Sequence, residues 1–255
     1  MRSYLIAALL ILAPSMAAAQ SIQHFVDRQP VTLRTDTALV LFRADGVARA
    51  QHHGLAYGGD FDFVLVRGAE IAPAGRAAQI GQADHPGSAA ALDPNVYRTD
   101  ARKAYDRTGE DRTYLVALPP GRYVIAAATP SGIGPMGTCF CMGTLAFEAK
   151  GGEITDLGYL LATWEDRPTK VPELTAVVAP GKSYIVMPPL IAATVRQSSE
   201  LSPIPEALRS LPRAAAEYRA VGKFPNYFHS VINRMAPVDK VLAYEGDKVI
   251  DLKSR

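Results

Sequence analysis

The sequence predicts a mainly β protein, an antiparallel β-sandwich with a short helical segment near the C-terminus. Three observations carry this. Apolar runs of a few residues, rich in Val, Ile, Leu, Tyr and Phe, recur along the chain and are separated by Gly, Pro and Asp. Two of the separators, LPPGRY (118–123) and AKGGEI (149–154), have the chemistry of tight turns. After Val195 the composition shifts to Ala, Leu, Glu and Arg, which favours helix.

The runs read as strands are ALVLFR (38–43), FDFVLVR (61–67), TYLVAL (113–118), RYVIAAA (122–128), GTLAFEA (143–149), ITDLGYLLA (154–162), ELTAVVA (173–179) and SYIVMPP (183–189). Pro120-Gly121 suits a type II turn, proline fixing the first corner and glycine accepting positive φ at the second. TYLVALPPGRYVIAAA is therefore expected to be a hairpin. APGKSYIV (179–186) echoes PGRYVI as a shared turn solution. Residues 68–112 are small, polar and aperiodic over most of their length and read as an insertion, with NVYRTD (95–100) and KAYDRT (103–108) as one more hairpin. The charged stretch RTDARKAYDRTGEDR (98–112) mixes both signs and reads as a solvated hairpin or loop.

In the tail, Ala207, Leu208, Leu211, Ala215 and Tyr218 fall near helical spacing, Pro212 interrupts them and Gly222 can cap the end. Two short helical pieces are expected over 203–221, their apolar face packed on the protein's own sheet. VLAYEGDKVIDL (241–252) reads as a closing hairpin turning at Glu245-Gly246-Asp247. The expected organisation is a signal peptide (1–19), a sandwich domain (20–195), and a helical appendage with closing hairpin (196–255) packed on the same domain.

The N-terminus carries Arg2, an uninterrupted apolar run from Leu5 to Ala13, and Ala17-Ala18-Ala19. That order is a secretory signal peptide cleaved near Ala19/Gln20, and its apolar run is too short to span a bilayer. The expected location is periplasmic or secreted, with no transmembrane anchor in the mature chain. Cleavage removes one basic residue and no acid, which leaves 26 basic side chains against 25 acidic. So even a balance gives no footprint for nucleic acid.

The order of strand, Pro-Gly-x-Tyr turn, strand and FEAKGGEITDLGYL, over residues 113–162, resembles exported bacterial β-sandwich proteins of uncharacterised function. More loosely, it resembles prealbumin-like and carboxypeptidase-regulatory-like modules. The resemblance rests on turn residues. It implies a β-sandwich in the cell envelope and carries over no catalytic residue.

No nucleophile elbow, zinc-binding HExxH, P-loop or dinucleotide glycine fingerprint occurs. Among the histidines, adjacent His52 and His53 read as a solvated loop pair, because neighbouring side chains diverge. His24 follows the cleavage point, His85 lies in the insertion, and His229 lies beside Tyr227 and Phe228. Asp60 and Asp62 in GGDFDF share one strand face and read as solvated edge charges.

The sharpest chemistry is GTCFCMGT (137–144), which holds both cysteines, Cys139 and Cys141. Export places them where disulfides form. In an extended strand their Cα atoms would lie about 6.6 Å apart, near the upper limit for a bridge, so a local disulfide needs a bend. The alternatives are buried thiols, a soft Cu(I) site with Met136 and Met142, and an intermolecular bond. A local, strained bridge is the favoured reading. Copper is the only cofactor the pattern suits, and otherwise none is expected. The function so inferred is a non-catalytic periplasmic binding or envelope-associated module for a protein or small-molecule ligand. The alternatives are a copper- or thiol-handling protein and an enzyme whose site is not visible in sequence.

Overall fold

The computed structural model describes residues 22–45, 50–52, 55–57, 61–68, 95–108, 111–130, 145–163, 192–196, 204–220, 224–225, 231–232, 239–240 and 242–251. Its strands are β1 (Gln23–Phe25), β2 (Ala38–Asp45), β3 (Ala50–His52), β4 (Leu55–Tyr57), β5 (Phe61–Arg67), β6 (Val96–Arg98), β7 (Asp106–Thr108), β8 (Asp111–Leu118) and β9 (Gly121–Pro130). They continue with β10 (Leu145–Ala149), β11 (Ile154–Thr163), β12 (Ala192–Arg196), β13 (Arg213–Ala215), β14 (Arg219–Ala220), β15 (Phe224–Pro225), β16 (Val231–Ile232), β17 (Leu242–Glu245) and β18 (Lys248–Asp251).

Two sheets pack as a sandwich. The first runs β1-β8-β2-β11-β12, with β7 added on β8 and β13 on β11; the second runs β17-β18-β14-β10-β9-β5-β6. Most pairings are antiparallel, but β2 and β13 both run parallel to β11. Alternation builds the core. Val40, Phe42, Tyr114, Val116 and Leu118 from the first sheet meet Phe63, Leu65, Tyr123, Ile125, Leu145 and Phe147 from the second. Phe42 stacks on Tyr114 at 4.9 Å between ring centroids and meets Phe63 edge-on at 5.6 Å.

The first sheet is buried on its outer face as well. Leu39, Leu41, Leu115 and Ile154 pack there with Tyr105 and Leu208, and Phe25, Val31, Leu33, Ile204 and Leu211 join them. A sheet covered on both sides explains why ALVLFR reads as a continuous apolar run rather than an alternating one.

The expected hairpin over 113–128 is instead a corner. β8 is already paired on one side by β2 and on the other by β1 and β7, so no edge remains for β9, which joins β5 and β10 across the core. The AKGGEI turn likewise carries the chain from β10 in one sheet to β11 in the other. At the first corner the Tyr123 hydroxyl donates to the Pro119 carbonyl at 2.5 Å, a tyrosine corner that accounts for the Pro-Gly-x-Tyr spacing. Gly121 has φ of 150°, not the roughly 80° of a type II turn, and an added Cβ would lie 3.1 Å from Arg67 Nε. Gly121→Val should therefore lose about 1–3 kcal/mol, read as a lower denaturant midpoint; an unchanged midpoint would contradict the corner.

Residues 95–100 and 103–108 form no hairpin with each other. β6 joins β5 in the second sheet and β7 joins β8 in the first, so this segment spans the sandwich. Nor is the charged stretch wholly solvated, since Thr99, Ala101, Ala104 and Tyr105 are buried.

The tail is mostly strand rather than helix. Among the described residues of 203–221, helix is confined to one 3-10 turn, Glu206–Leu208. Proline at 203, 205 and 212 leaves no room for a longer one. Beyond Pro212 the backbone gains more from free sheet edges: Arg213–Ala215 pairs with β11 and Arg219–Ala220 with β10. Leu208 and Leu211 do pack on the protein's own sheet. The closing hairpin forms as expected, with Glu245 opposite Lys248, and Gly246 at φ 61° supplies the first position of a two-residue II′-like turn. The expected strands ELTAVVA and SYIVMPP lie outside the described residues, as does the signal segment. No helix among the described residues is long and apolar enough to cross a membrane.

Candidate functional site

One segment laces the two sheets together. After β13 pairs with β11 in the first sheet, Ala216 N–H donates to the Asp156 carbonyl at 2.8 Å. Tyr218 then plunges into the core, its hydroxyl donating to the Leu157 carbonyl at 2.8 Å. The chain emerges as β14 on β10 of the second sheet. Burial holds the Tyr218 phenol well above its ordinary value, and the nearby Asp156 charge pushes the same way against Arg43. Tyr218 is thus a fixed hydrogen-bond donor at working pH.

Beside this lace lies a buried ion pair. Arg43, fully buried on β2, donates through both terminal nitrogens to Asp156 on β11, at 2.8 and 3.2 Å. Asp156 also accepts from the Gly158 N–H at 2.8 Å, inside the bulge where β11 slips against β2 between Asp156 and Tyr159. The Tyr159 hydroxyl donates to Asp111 at 2.8 Å. These contacts place the charges in the service of the fold: they fix the register of a parallel pair that a one-residue slip would turn inside out.

Where the lace crosses between sheets it leaves a cleft of about 150 Å³. Arg122, Lys150 and Arg219 line it with Glu148, Glu153 and Glu217, and Ala146, Phe147, Thr155, Ala214 and Ala215 form the rest of its wall. Cations and carboxylates are equal in number, so the cleft offers polar contacts of both signs. It belongs to neither sheet alone, and reading strands one by one could not find it; the signal that could was the even mixture of Glu, Lys and Arg in FEAKGGE and AAAEYRA.

The residues singled out in sequence are not brought together here. Cys139, Cys141, Met136 and Met142 lie outside the described residues, as do Asp60, His53, His85 and His229. Among the described residues no three His, Cys, Asp or Glu side chains converge as a metal set. His52 ends β3 of a small hairpin with β4 rather than lying in a loop. Asp62 is not a solvated edge charge: it is buried, accepts from Ala101 N–H at 2.8 Å and from Arg98 Nε at 3.1 Å. Burial raises its pKa, while the Ala101 N–H and Arg98 oppose the shift.

His24 sits on β1 with Nδ1 buried and without a hydrogen-bond partner among the described residues. Burial lowers its pKa below 6.5, Lys103 adds to this, and Asp100 opposes it. The unfolded chain therefore binds this proton more readily than the folded one. Stability should be full above about pH 6.5 and should fall as pH drops from there through the lower folded value. In denaturation at pH 7.5 and 5.5, His24→Gln should lose less on acidification than the parent; equal losses would contradict the assignment.

In comparisons with known proteins, no family model matches the chain, and neither a curated protein nor a solved structure matches it significantly.

Proposed function

We propose that the chain is an exported, non-catalytic β-sandwich of the cell envelope that binds a partner through the cleft at the sheet seam. Export rests on the Arg2, Leu5–Ala13 and Ala17–Ala19 arrangement. The single observation that carries the binding reading is the cleft itself, a concave site at a junction of two layers with polar groups of both signs on its rim. The buried charges nearby, Arg43 and Asp156, are engaged with each other, and Asp156 also accepts from the Gly158 N–H, which supports a binding surface over a catalytic one.

The test uses intact cells. N-terminal sequencing of the envelope species should begin near Gln20. A photo-crosslinking residue at exposed Ala214, in the cleft, should give discrete adducts, whereas one at exposed Ala207, on the 3-10 turn outside it, should not. Retention of Met1, or equal labelling from both positions, would contradict the proposal.

A further inference from the structure

Among the described residues the seam cleft contains an open strand edge, and the ladders around it fix which backbone groups that edge presents. β9 pairs with β10 along all of Leu145–Ala149, whereas β14 covers only Leu145 and Ala146. Gly68 N–H donates to the Arg122 carbonyl at 3.0 Å, so Arg122 faces β5 and its neighbours Gly121 and Tyr123 face β10. Their partners Ala149 and Phe147 therefore face β9, and Glu148, between them, faces the other way.

The far side of the sheet gives the same answer independently. Val249 N–H donates to the Tyr218 carbonyl and Ala220 N–H to the Asp247 carbonyl. Tyr218 and Ala220 thus face β18, and Arg219 faces β10 opposite Ala146. Glu148, two residues beyond Ala146, faces the same direction. The strand that would cover it has already left for the first sheet, where Ala216 bonds to Asp156. The Glu148 N–H and C=O point into the cleft and meet no partner among the described residues. On the opposite bank Ile154 N–H donates to the Pro212 carbonyl at 2.9 Å. In that parallel register Ala214 bonds to β11 while Ala215 presents its backbone outward.

We propose that the cleft takes an extended peptide segment of a partner protein, added as a strand on Glu148. An open main-chain donor and acceptor recognise a peptide backbone, the chemistry of strand addition. The rim of Arg122, Lys150 and Arg219 facing Glu153 and Glu217 complements a segment bearing side chains of both signs rather than a polyanion or polycation. This rests on the reading of the cleft as the binding site.

The probe is a displayed library of random heptapeptides selected on the mature protein, followed by synthetic copies of an enriched peptide titrated by calorimetry. N-methylation of alternate peptide amides should weaken binding about tenfold, a lost backbone hydrogen bond, while methylation of the intervening ones should not. Glu148→Pro, which deletes an N–H not used by the β9 ladder, should abolish binding, and Glu148→Ala, which removes one rim carboxylate but keeps the backbone, should weaken it far less. Should Glu148→Pro fail to fold by circular dichroism, the methylation scan on the unaltered protein decides alone. A flat scan with binding still abolished by Arg219→Glu overturns strand addition and leaves the cleft as the binding site. No enrichment, together with an unlabelled Ala214 in cells, overturns both.

Discussion

Asp156→Ala is expected to destabilise the protein by about 3–5 kcal/mol, because it strands a buried guanidinium. Arg43 has no exposed surface, and Asp156 supplies both of its charge-assisted hydrogen bonds. The second cation near Asp156, Arg213 at 3.8 Å, is partly exposed and keeps its hydration; Arg43 has no such refuge. Loss of Asp156 also frees the Gly158 N–H in the bulge. Replacing both partners, as Arg43→Met with Asp156→Leu, should recover most of the loss, since apolar side chains of similar volume often match a buried pair. Denaturant unfolding of the three variants measures this. A double variant as unstable as the single one would show that the pair itself, rather than an orphaned charge, holds β2 to β11.

Gly151→Ala is the second large effect. A Cβ at Gly151 would lie 1.9 Å from the Thr35 carbonyl oxygen and 2.7 Å from its carbonyl carbon. The obstacle is backbone, fixed by the Arg34–Thr37 bridge and by Gly152 N–H donating to the Arg34 carbonyl at 2.8 Å, so it cannot swing aside as a side chain would. Gly151 is itself bridged to Ala38 at the start of β2. Relief requires separating the corner from the first sheet, at a cost of about 1–3 kcal/mol or more. Gly246→Ala makes the contrast: an added Cβ there meets nothing within 4 Å, and only the φ of 61° opposes it. A smaller loss at 151 than at 246 would place Thr35 wrongly.

The strands were legible where the sequence states them locally. FDFVLVR coincides with β5, the runs at 38, 113, 122 and 154 each begin or lie within a strand, and the described part of GTLAFEA (143–149) is β10, Leu145–Ala149, because burial of Val, Leu, Ile and aromatic residues is written into each run. What the runs cannot state is which neighbour a strand chooses. TYLVAL and RYVIAAA part company because β8 has both edges occupied by strands far away in sequence. The tail misled for a related reason: Ala and Arg at 213–220 favour helix intrinsically, but two open sheet edges offered their backbones better partners. Asp62 reads as a solvated edge charge, and nothing local marks Asp156 inside ITDLGYLLA, since their partners Arg98 and Arg43 stand 36 and 113 positions away. The seam cleft follows from the crossing of 213–220 between sheets, which brings the mixed charges of AAAEYRA beside those of FEAKGGE, and neither stretch alone states that meeting.

Amide hydrogen exchange of the free protein, resolved residue by residue, reads the open strand edge inside that cleft. The Ala146 N–H, paired with Arg219, should be protected. The Glu148 N–H, two residues along the same strand and turned the same way, should exchange at nearly the rate of an unstructured amide. Equal protection of the two would contradict the account, because it would mean that another part of the chain already occupies the edge.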